Sequence, residues 1–293
     1  MCAPRDGRAV AIAVALLGTI SLAGCEPEPP RASAADYADL GLPVLCEPSA
    51  DDGVRTAAGP LETAQGIRYM VRTPANYDPT RGHPLLVVYA PAGFRHRGSE
   101  HYTGLTTEAT RRGFVVAYVD HRPLSFAWLE ALGQVPALVS RHWCIDPGRI
   151  TLAGHSDGGT TATAVAFLGK ATPPPTAVVS SGAGIRGQDL DAYPCPSAPP
   201  SVLVVHSSED RLFPLPEYGV GAAAWWAACL HCNPAPSDRG PDGCVEYGAC
   251  EGSARVRYCE VRGDHARWPG VNSTVLDFLQ QTPRARRSES PGR

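Results

Sequence analysis

Ile150-Thr151-Leu152-Ala153-Gly154-His155-Ser156-Asp157-Gly158-Gly159 decides how this chain is read. Residues 150–153 form a short apolar run, typical of a strand buried on both faces. From Gly158 the chain becomes rich in alanine, and a helix is predicted over 158–168. Gly-x-Ser-x-Gly between a strand and a helix is a nucleophile elbow. The serine sits on a sharp, strained turn, and bulky flanking side chains would clash. Such a turn raises the Ser156 hydroxyl above the C-terminal edge of the sheet. It also sets the Asp157 backbone N–H at a helix N-terminus, where it can donate to a developing oxyanion. The bare pattern is weak; a strand before it, a helix after it and the extra Gly159 make it specific.

Outward from this stretch, strands and helices alternate. Strands are predicted over 67–73, 85–89, 114–119, 177–179, 202–205 and 255–261, and helices over 125–140, 217–228 and 273–281. This alternation predicts an α/β protein with a mostly parallel central sheet and helices on both faces. With the elbow, it specifies the α/β-hydrolase fold. Thr172-Pro173-Pro174-Pro175 is a stiff link from helix to strand. The stretch 232–250, rich in Gly, Pro, Asp and Cys, is expected to be a cross-linked loop. No internal repeat is present.

A serine hydroxyl needs a base, and the base needs an orienting carboxylate. In this fold the chain order is Ser, then Asp or Glu, then His. The acid should follow a buried strand, and Val202-Leu203-Val204-Val205 runs into His206-Ser207-Ser208-Glu209-Asp210. Asp210 is the candidate and Glu209 its rival. The base should follow the last strand, where Gly263-Asp264-His265 stands; His265 is the candidate. His155 and His206 are expected to pack beside the elbow and the acid turn. A second oxyanion donor should come from Ala90-Pro91-Ala92-Gly93-Phe94, after the strand 85–89. Pro91 has no N–H, so the donor is Ala92 or Gly93, with Ala92 slightly favoured. Such chemistry requires no cofactor. Phe94, Trp128, Trp225, Trp226 and Trp268 are aromatic candidates for a substrate pocket, Phe94 and Trp268 foremost; each could equally be core.

The 293 residues carry 43% hydrophobic and 19% charged side chains, as in soluble globular proteins. The net charge of −3 and the lack of a basic stripe with interleaved aromatics argue against a nucleic-acid partner. Arg5 and Arg8 precede an apolar run over 10–20, about a dozen residues and too short to span a bilayer comfortably. Leu22-Ala23-Gly24-Cys25 follows and resembles the bacterial lipobox, in which the cysteine thiol receives a diacylglycerol. That resemblance implies an exported cell-envelope lipoprotein, lipidated at Cys25 and held to a membrane by this anchor. Glu26-Pro27-Glu28-Pro29-Pro30 would be its extended tether. Besides Cys2 and Cys25, eight cysteines remain of the ten, at 46, 144, 195, 229, 232, 244, 250 and 259. An even number in an oxidising compartment predicts up to four disulfides. The expected organisation is a signal peptide over 1–24, a tether and N-terminal segment over 25–65, a catalytic domain over 66–281, and a polar, disordered tail over 282–293.

Over 66–279 the chain resembles the polyhydroxybutyrate depolymerase and feruloyl esterase family of secreted α/β-hydrolases, often lipoproteins. The elbow is similar to that family's. His206-Ser207-Ser208-Glu209-Asp210 with Phe213-Pro214 is similar to its acid turn, H-G-x-x-D followed by V-P. Gly263-Asp264-His265-Ala266-Arg267-Trp268-Pro269-Gly270 is similar to its base motif, G-G-H-x-W-P-G. The resemblance implies a triad of Ser156, Asp210 and His265, a carboxylic ester as substrate, and a cysteine pair at Cys232 and Cys250. Three departures stand out. Ala90-Pro91 replaces H-G in the oxyanion loop, Ser207 replaces glycine, and one extra residue separates His265 from Trp268. The first motivates an alternative, a non-catalytic ligand-binding protein on the same scaffold. Cys229-x-x-Cys232 with Cys244, Cys250 and Cys259 also mimics a zinc ribbon, but the spacing is irregular and export favours oxidation over thiolate ligation.

Overall fold

The structure, a computed structural model, describes Cys46 and residues 60–284. The predicted signal peptide, the lipidation site Cys25, its tether and the tail beyond residue 284 lie outside the described residues. The strands are β1 (Leu61–Glu62), β2 (Arg68–Arg72), β3 (His83–Tyr89), β4 (Val115–Val119), β5 (Ile145–His155), β6 (Ala177–Ser181), β7 (Ser201–Ser207), β8 (Cys244–Tyr247) and β9 (Val256–Val261). Among the described residues they form one nine-stranded sheet in the order β1-β2-β4-β3-β5-β6-β7-β9-β8. The strands from β4 to β9 in that order pair in parallel, while β1, β2 and β8 join antiparallel at the edges. This is the α/β-hydrolase fold.

The central strands are buried along their whole length because both faces are covered. Alternation then sorts their side chains. Leu85, Val87 and Tyr89 face one core with Leu129, Leu132, Val139, Ala162 and Val165, contributed by helices α3 (Phe126–Gly133), α4 (Val135–His142) and α5 (Asp157–Phe167). Leu86 and Val88 face the other, with Ala109 of α2 (Thr106–Arg111) and Val275, Leu276 and Phe278 of α8 (Asn272–Gln281). Short α6 (Gly187–Leu190) precedes β7. Beyond it, α7 (Val220–Cys229) packs Trp226 against Val202, Val204 and Tyr258. No helix of the described residues is long and apolar enough to cross a membrane.

Several elements depart from expectation. The helix predicted over 125–140 is two, α3 and α4, because Pro136 lacks an N–H and its ring would strike the carbonyl a turn earlier. Helix α1 (His96–Thr103) was not predicted: His96-Arg97-Gly98-Ser99 has no apolar stripe, and the helix buries His96, Ser99 and Thr103 instead. The sheet takes in Leu61–Glu62, just ahead of the expected domain start. At the other end, Thr282 and Arg284 are bonded rather than loose: Thr282 Oγ1 donates to the Phe278 carbonyl (2.9 Å) and Arg284 Nη2 to Asp146 (2.6 Å).

The stretch 232–250 is not wholly loop; it contains β8, too short and cysteine-bound to show a strand pattern. The remainder lies along the outer side of β8. Ser237 N–H donates to the Glu246 carbonyl (2.8 Å), Glu246 N–H to Ser237 Oγ (3.0 Å) and Gly240 N–H to the Cys244 carbonyl (2.8 Å). The eight cysteines pair as Cys46–Cys144, Cys195–Cys229, Cys232–Cys250 and Cys244–Cys259. The Cys232–Cys250 pair is the one implied by the family resemblance, and these bonds occupy the sulfurs that a zinc ribbon would need. No cluster of three or more His, Cys, Asp or Glu among the described residues is arranged to hold a metal ion.

Candidate active site

β5 delivers Ser156 at the C-terminal edge of the sheet, and α5 begins at the next residue. Ser156 has φ 54° and ψ −124°, a strained conformation for a residue with a side chain. Its N–H donates to the Ser181 carbonyl at the end of β6 (2.9 Å), and its carbonyl accepts from Thr160 N–H (2.9 Å). The flanking glycines are demanded by contact with backbone. A Cβ on Gly154 would lie 2.2 Å from the Gly158 carbonyl carbon, and one on Gly158 would lie 2.1 Å from the Tyr89 carbonyl oxygen. The elbow is therefore wedged between its own helix and the end of β3.

β7 delivers Asp210. Its carboxylate is nearly sealed from solvent, with a side-chain exposure of 1%. Oδ1 accepts the N–H groups of Leu212 and Phe213 (both 2.9 Å), and Oδ2 lies 2.7 Å from His265 Nδ1. Burial pushes this carboxyl upward, but the Phe213 amide, His265 and the Leu212 amide together hold it below the ordinary carboxylate value. Glu209, the rival acid, points elsewhere: it is exposed and accepts Gly263 N–H (3.2 Å). Ser207, where the resembled family has glycine, is put to use. Its hydroxyl donates to the Gly263 carbonyl and accepts Glu209 N–H (3.1 Å), tying the acid turn to the loop that carries His265.

His265 follows β9, and its Nε2 lies 2.8 Å from Ser156 Oγ. The structure thus brings Ser156, His265 and Asp210 into one hydrogen-bonded line. With Nδ1–H donated to a carboxylate, Nε2 is left to accept from the serine hydroxyl. Two buried imidazoles support this line. His155 Nε2–H donates to the His265 carbonyl (2.8 Å), and its Nδ1 accepts from Ser181 Oγ (2.9 Å). Burial pushes the His155 pKa down to about 4, so it is neutral at physiological pH. His206 Nε2–H donates to the Phe213 carbonyl (2.7 Å), and burial lowers its pKa as well.

Asp157 opens α5, so its amide belongs to the first, unpaired turn. In the loop after β3, Phe94 N–H donates to the Pro91 carbonyl (3.0 Å) and Gly93 has φ 78°, which fits a type II turn with Ala92 and Gly93 at its corners. Among the described residues, neither corner amide donates to a backbone carbonyl.

The expected aromatic lining is divided. Phe94 is 39% exposed beside this loop. Trp268 stands beside the candidate base: it lines a cavity of about 180 Å³ with Asp210 and His265, its indole N–H donates to Asn272 Oδ1 (2.7 Å), and its ring meets that of His155 edge-on. Trp225 and Trp226 belong to the core around α7, and Trp128 lies under the Arg122 guanidinium. Three further residues at the same edge of the sheet went unassigned in the sequence: His96, Asp120 and His121. Asp120-His121 directly follows a predicted strand, and that position was the available signal.

No protein-family model and no curated relative matches this sequence. Solved structures share its fold. Acetyl xylan esterase from Aspergillus awamori superposes with a TM-score of 0.57 at 12% identity, over 76% of this chain and 98% of its own. An S-formylglutathione hydrolase from Staphylococcus aureus gives 0.53 at 12%, over 76% and 97%. Thermogutta terrifontis esterase 2, phosphonylated by cyclosarin, gives 0.51 at 12%, over 77% and 92%.

Proposed function

We propose that this chain is a serine carboxylesterase with Ser156 as nucleophile, His265 as general base and acid, and Asp210 as the orienting carboxylate. One observation carries the proposal: the line from Ser156 Oγ through His265 to Asp210, with steps of 2.8 and 2.7 Å, standing on a strained elbow. His265 Nε2 takes the hydroxyl proton as Ser156 Oγ attacks the ester carbonyl. The amides of Asp157 and of Ala92 or Gly93 hold the oxyanion. His265 returns the proton to the leaving alcohol, and water then cleaves the acyl-enzyme with His265 again as base. Asp210 holds the Nδ1–H tautomer and stabilises the imidazolium.

Phe94, Leu124 and Leu212 are large apolar side chains exposed on loops leaving the C-terminal ends of β3, β4 and β7, and Phe126 is exposed at the start of α3. Together with the motifs shared with the polyhydroxybutyrate depolymerase and feruloyl esterase family, they support hydroxyalkanoate or aromatic acyl esters as substrates. The neighbours named acetyl xylan esterase and esterase 2 are compatible with ester substrates in general. Four disulfides and the lipobox-like Leu22-Ala23-Gly24-Cys25 support an exported protein anchored through Cys25, with a catalytic domain over 66–281.

The test compares the full mature chain with Ser156→Ala on p-nitrophenyl acetate, butyrate and octanoate and on methyl ferulate. The variant should lose at least about 10³-fold in kcat. Turnover above about a tenth of wild type would remove Ser156 from the mechanism. A folded wild type inactive on every ester would favour the ligand-binding alternative suggested by the altered Ala90-Pro91.

A further inference from the structure

The two segments expected to supply the oxyanion donors are far apart in sequence, and both are held from the exit of β4. Val119, Asp120 and His121 bind the oxyanion loop at consecutive positions. The Val119 carbonyl accepts Ala90 N–H (3.1 Å), Asp120 Oδ1 accepts both His96 N–H and His96 Nδ1–H (2.7 Å each), and His121 N–H donates to the Phe94 carbonyl (3.2 Å). Asp120 and His96 are buried, at 6% exposure each. Between these anchors Ala92 and Gly93 are exposed, and a Cβ on Gly93 would meet nothing within 4 Å, whereas the ring of Phe94 rests on that of Tyr102 in α1 (centroids 5.3 Å apart). The position of the Ala92–Gly93 tip is therefore inherited from the contacts at its ends.

His121 also reaches the other segment. Its ring Nε2 lies 3.1 Å from Asp157 Oδ2, at the residue directly after Ser156. An imidazole N–H donating to that carboxylate joins the elbow to the strand exit, which in turn holds Phe94. The pair is partly shielded, with side-chain exposures of 18% for His121 and 36% for Asp157.

We infer that His121 is a positioning residue that sets the spacing between the Asp157 amide and the Ala92–Gly93 amides, so that both aim at one oxyanion. This inference rests on the serine-esterase function proposed above. Oxyanion donors act only when preorganised at the place where charge develops, and displacement of about 1 Å can cost about 100-fold in rate. Loss of such positioning falls on the transition state and leaves ground-state binding nearly unchanged.

The experiment measures kcat and KM for p-nitrophenyl butyrate and inhibition by a trifluoromethyl ketone, which forms a tetrahedral oxyanion on the serine. It uses the full mature chain as wild type, Ser156→Ala, His121→Ala, His121→Gln and His121→Phe. His121→Ala should lower kcat by about 10- to 100-fold with KM within about twofold, and should weaken the ketone by the same factor as kcat/KM. His121→Gln, with an amide N–H for Asp157, should recover most of the loss. His121→Phe, which fills the ring volume without a donor, should not. If His121→Ala does not fold, the Gln and Phe pair carries the comparison. A His121→Ala kcat within about twofold of an active wild type, a loss confined to KM, or equal activity of Gln and Phe variants would overturn the inference alone. A wild type that hydrolyses nothing and gains nothing over Ser156→Ala would bring down the esterase proposal, and this inference with it.

Discussion

Acidification should destabilise this protein through His155, and the size of the effect follows from its surroundings. His155 is 5% exposed, beneath His265, and burial pushes its pKa from 6.5 to about 4. An unfolded chain takes up the proton as pH falls through 6.5, whereas the folded chain resists until about 4. In that window the unfolded state binds more protons, so stability falls with falling pH. The contribution is intact above 6.5 and gone below about 4. The gap between those values, at about 1.4 kcal/mol per unit, corresponds to about 3 kcal/mol. His83 and His206 are lowered by burial as well and add in the same direction, so the assay must isolate His155. His155→Gln does so: its amide can still donate to the His265 carbonyl and accept from Ser181, and it does not titrate. Urea unfolding with the disulfides intact should show wild type losing about 3 kcal/mol more than the variant between pH 7 and pH 4. In thermal melts that difference is roughly 6–12 °C for a domain of this size. Parallel losses in the two proteins, within about 0.5 kcal/mol, would refute the assignment.

The neighbouring acids should separate cleanly. Asp210→Asn should lower kcat by about 10³- to 10⁴-fold, because an amide cannot hold the imidazolium. Glu209→Gln, which alters only the contact to Gly263 N–H, should stay within about tenfold; steady-state kinetics on one ester distinguishes them, and the reverse ranking would exchange their roles. Trp226→Ala should cost about 3–5 kcal/mol of stability, since the ring is 1% exposed and packs edge-on to Phe167 and Trp225, while kcat at 25 °C changes little. A denaturant titration checks it, and a loss under about 1 kcal/mol would mean that the α7 core relaxes around the gap.

The strand, elbow and helix around Ser156 were legible because their glycines answer to backbone contacts that any chain with this turn must make. The strands 85–89 and 202–205 were legible because burial on both faces writes itself as an unbroken apolar run. The choice between Asp210 and Glu209 was not fixed by pattern, since adjacent residues on a turn differ only in the direction each side chain takes. Helix α1 was invisible to periodicity: polar groups secure its buried side, as where Asp120 receives both His96 donors. For Trp268, position beside the candidate base was legible, while its bond to Asn272 and its edge-on contact with His155 were not. For His121, the signal was a histidine at the edge where three other strands deliver the candidate triad. Its two contacts, to Phe94 and Asp157, depend on tertiary geometry that no spacing encodes.

The irregular chain alongside β8 has a consequence for how molecules of this protein meet one another. A terminal strand normally offers a row of open amides and carbonyls on which a foreign strand can grow. Here Ser237 and Gly240 already occupy Glu246 and Cys244 on that outer side, and Cys244–Cys259 rivets the strand to β9. This rim of the sheet is thus a poor seed for strand-to-strand polymerisation, so residues 233–243, which resemble filler in composition, act as a guard against aggregation.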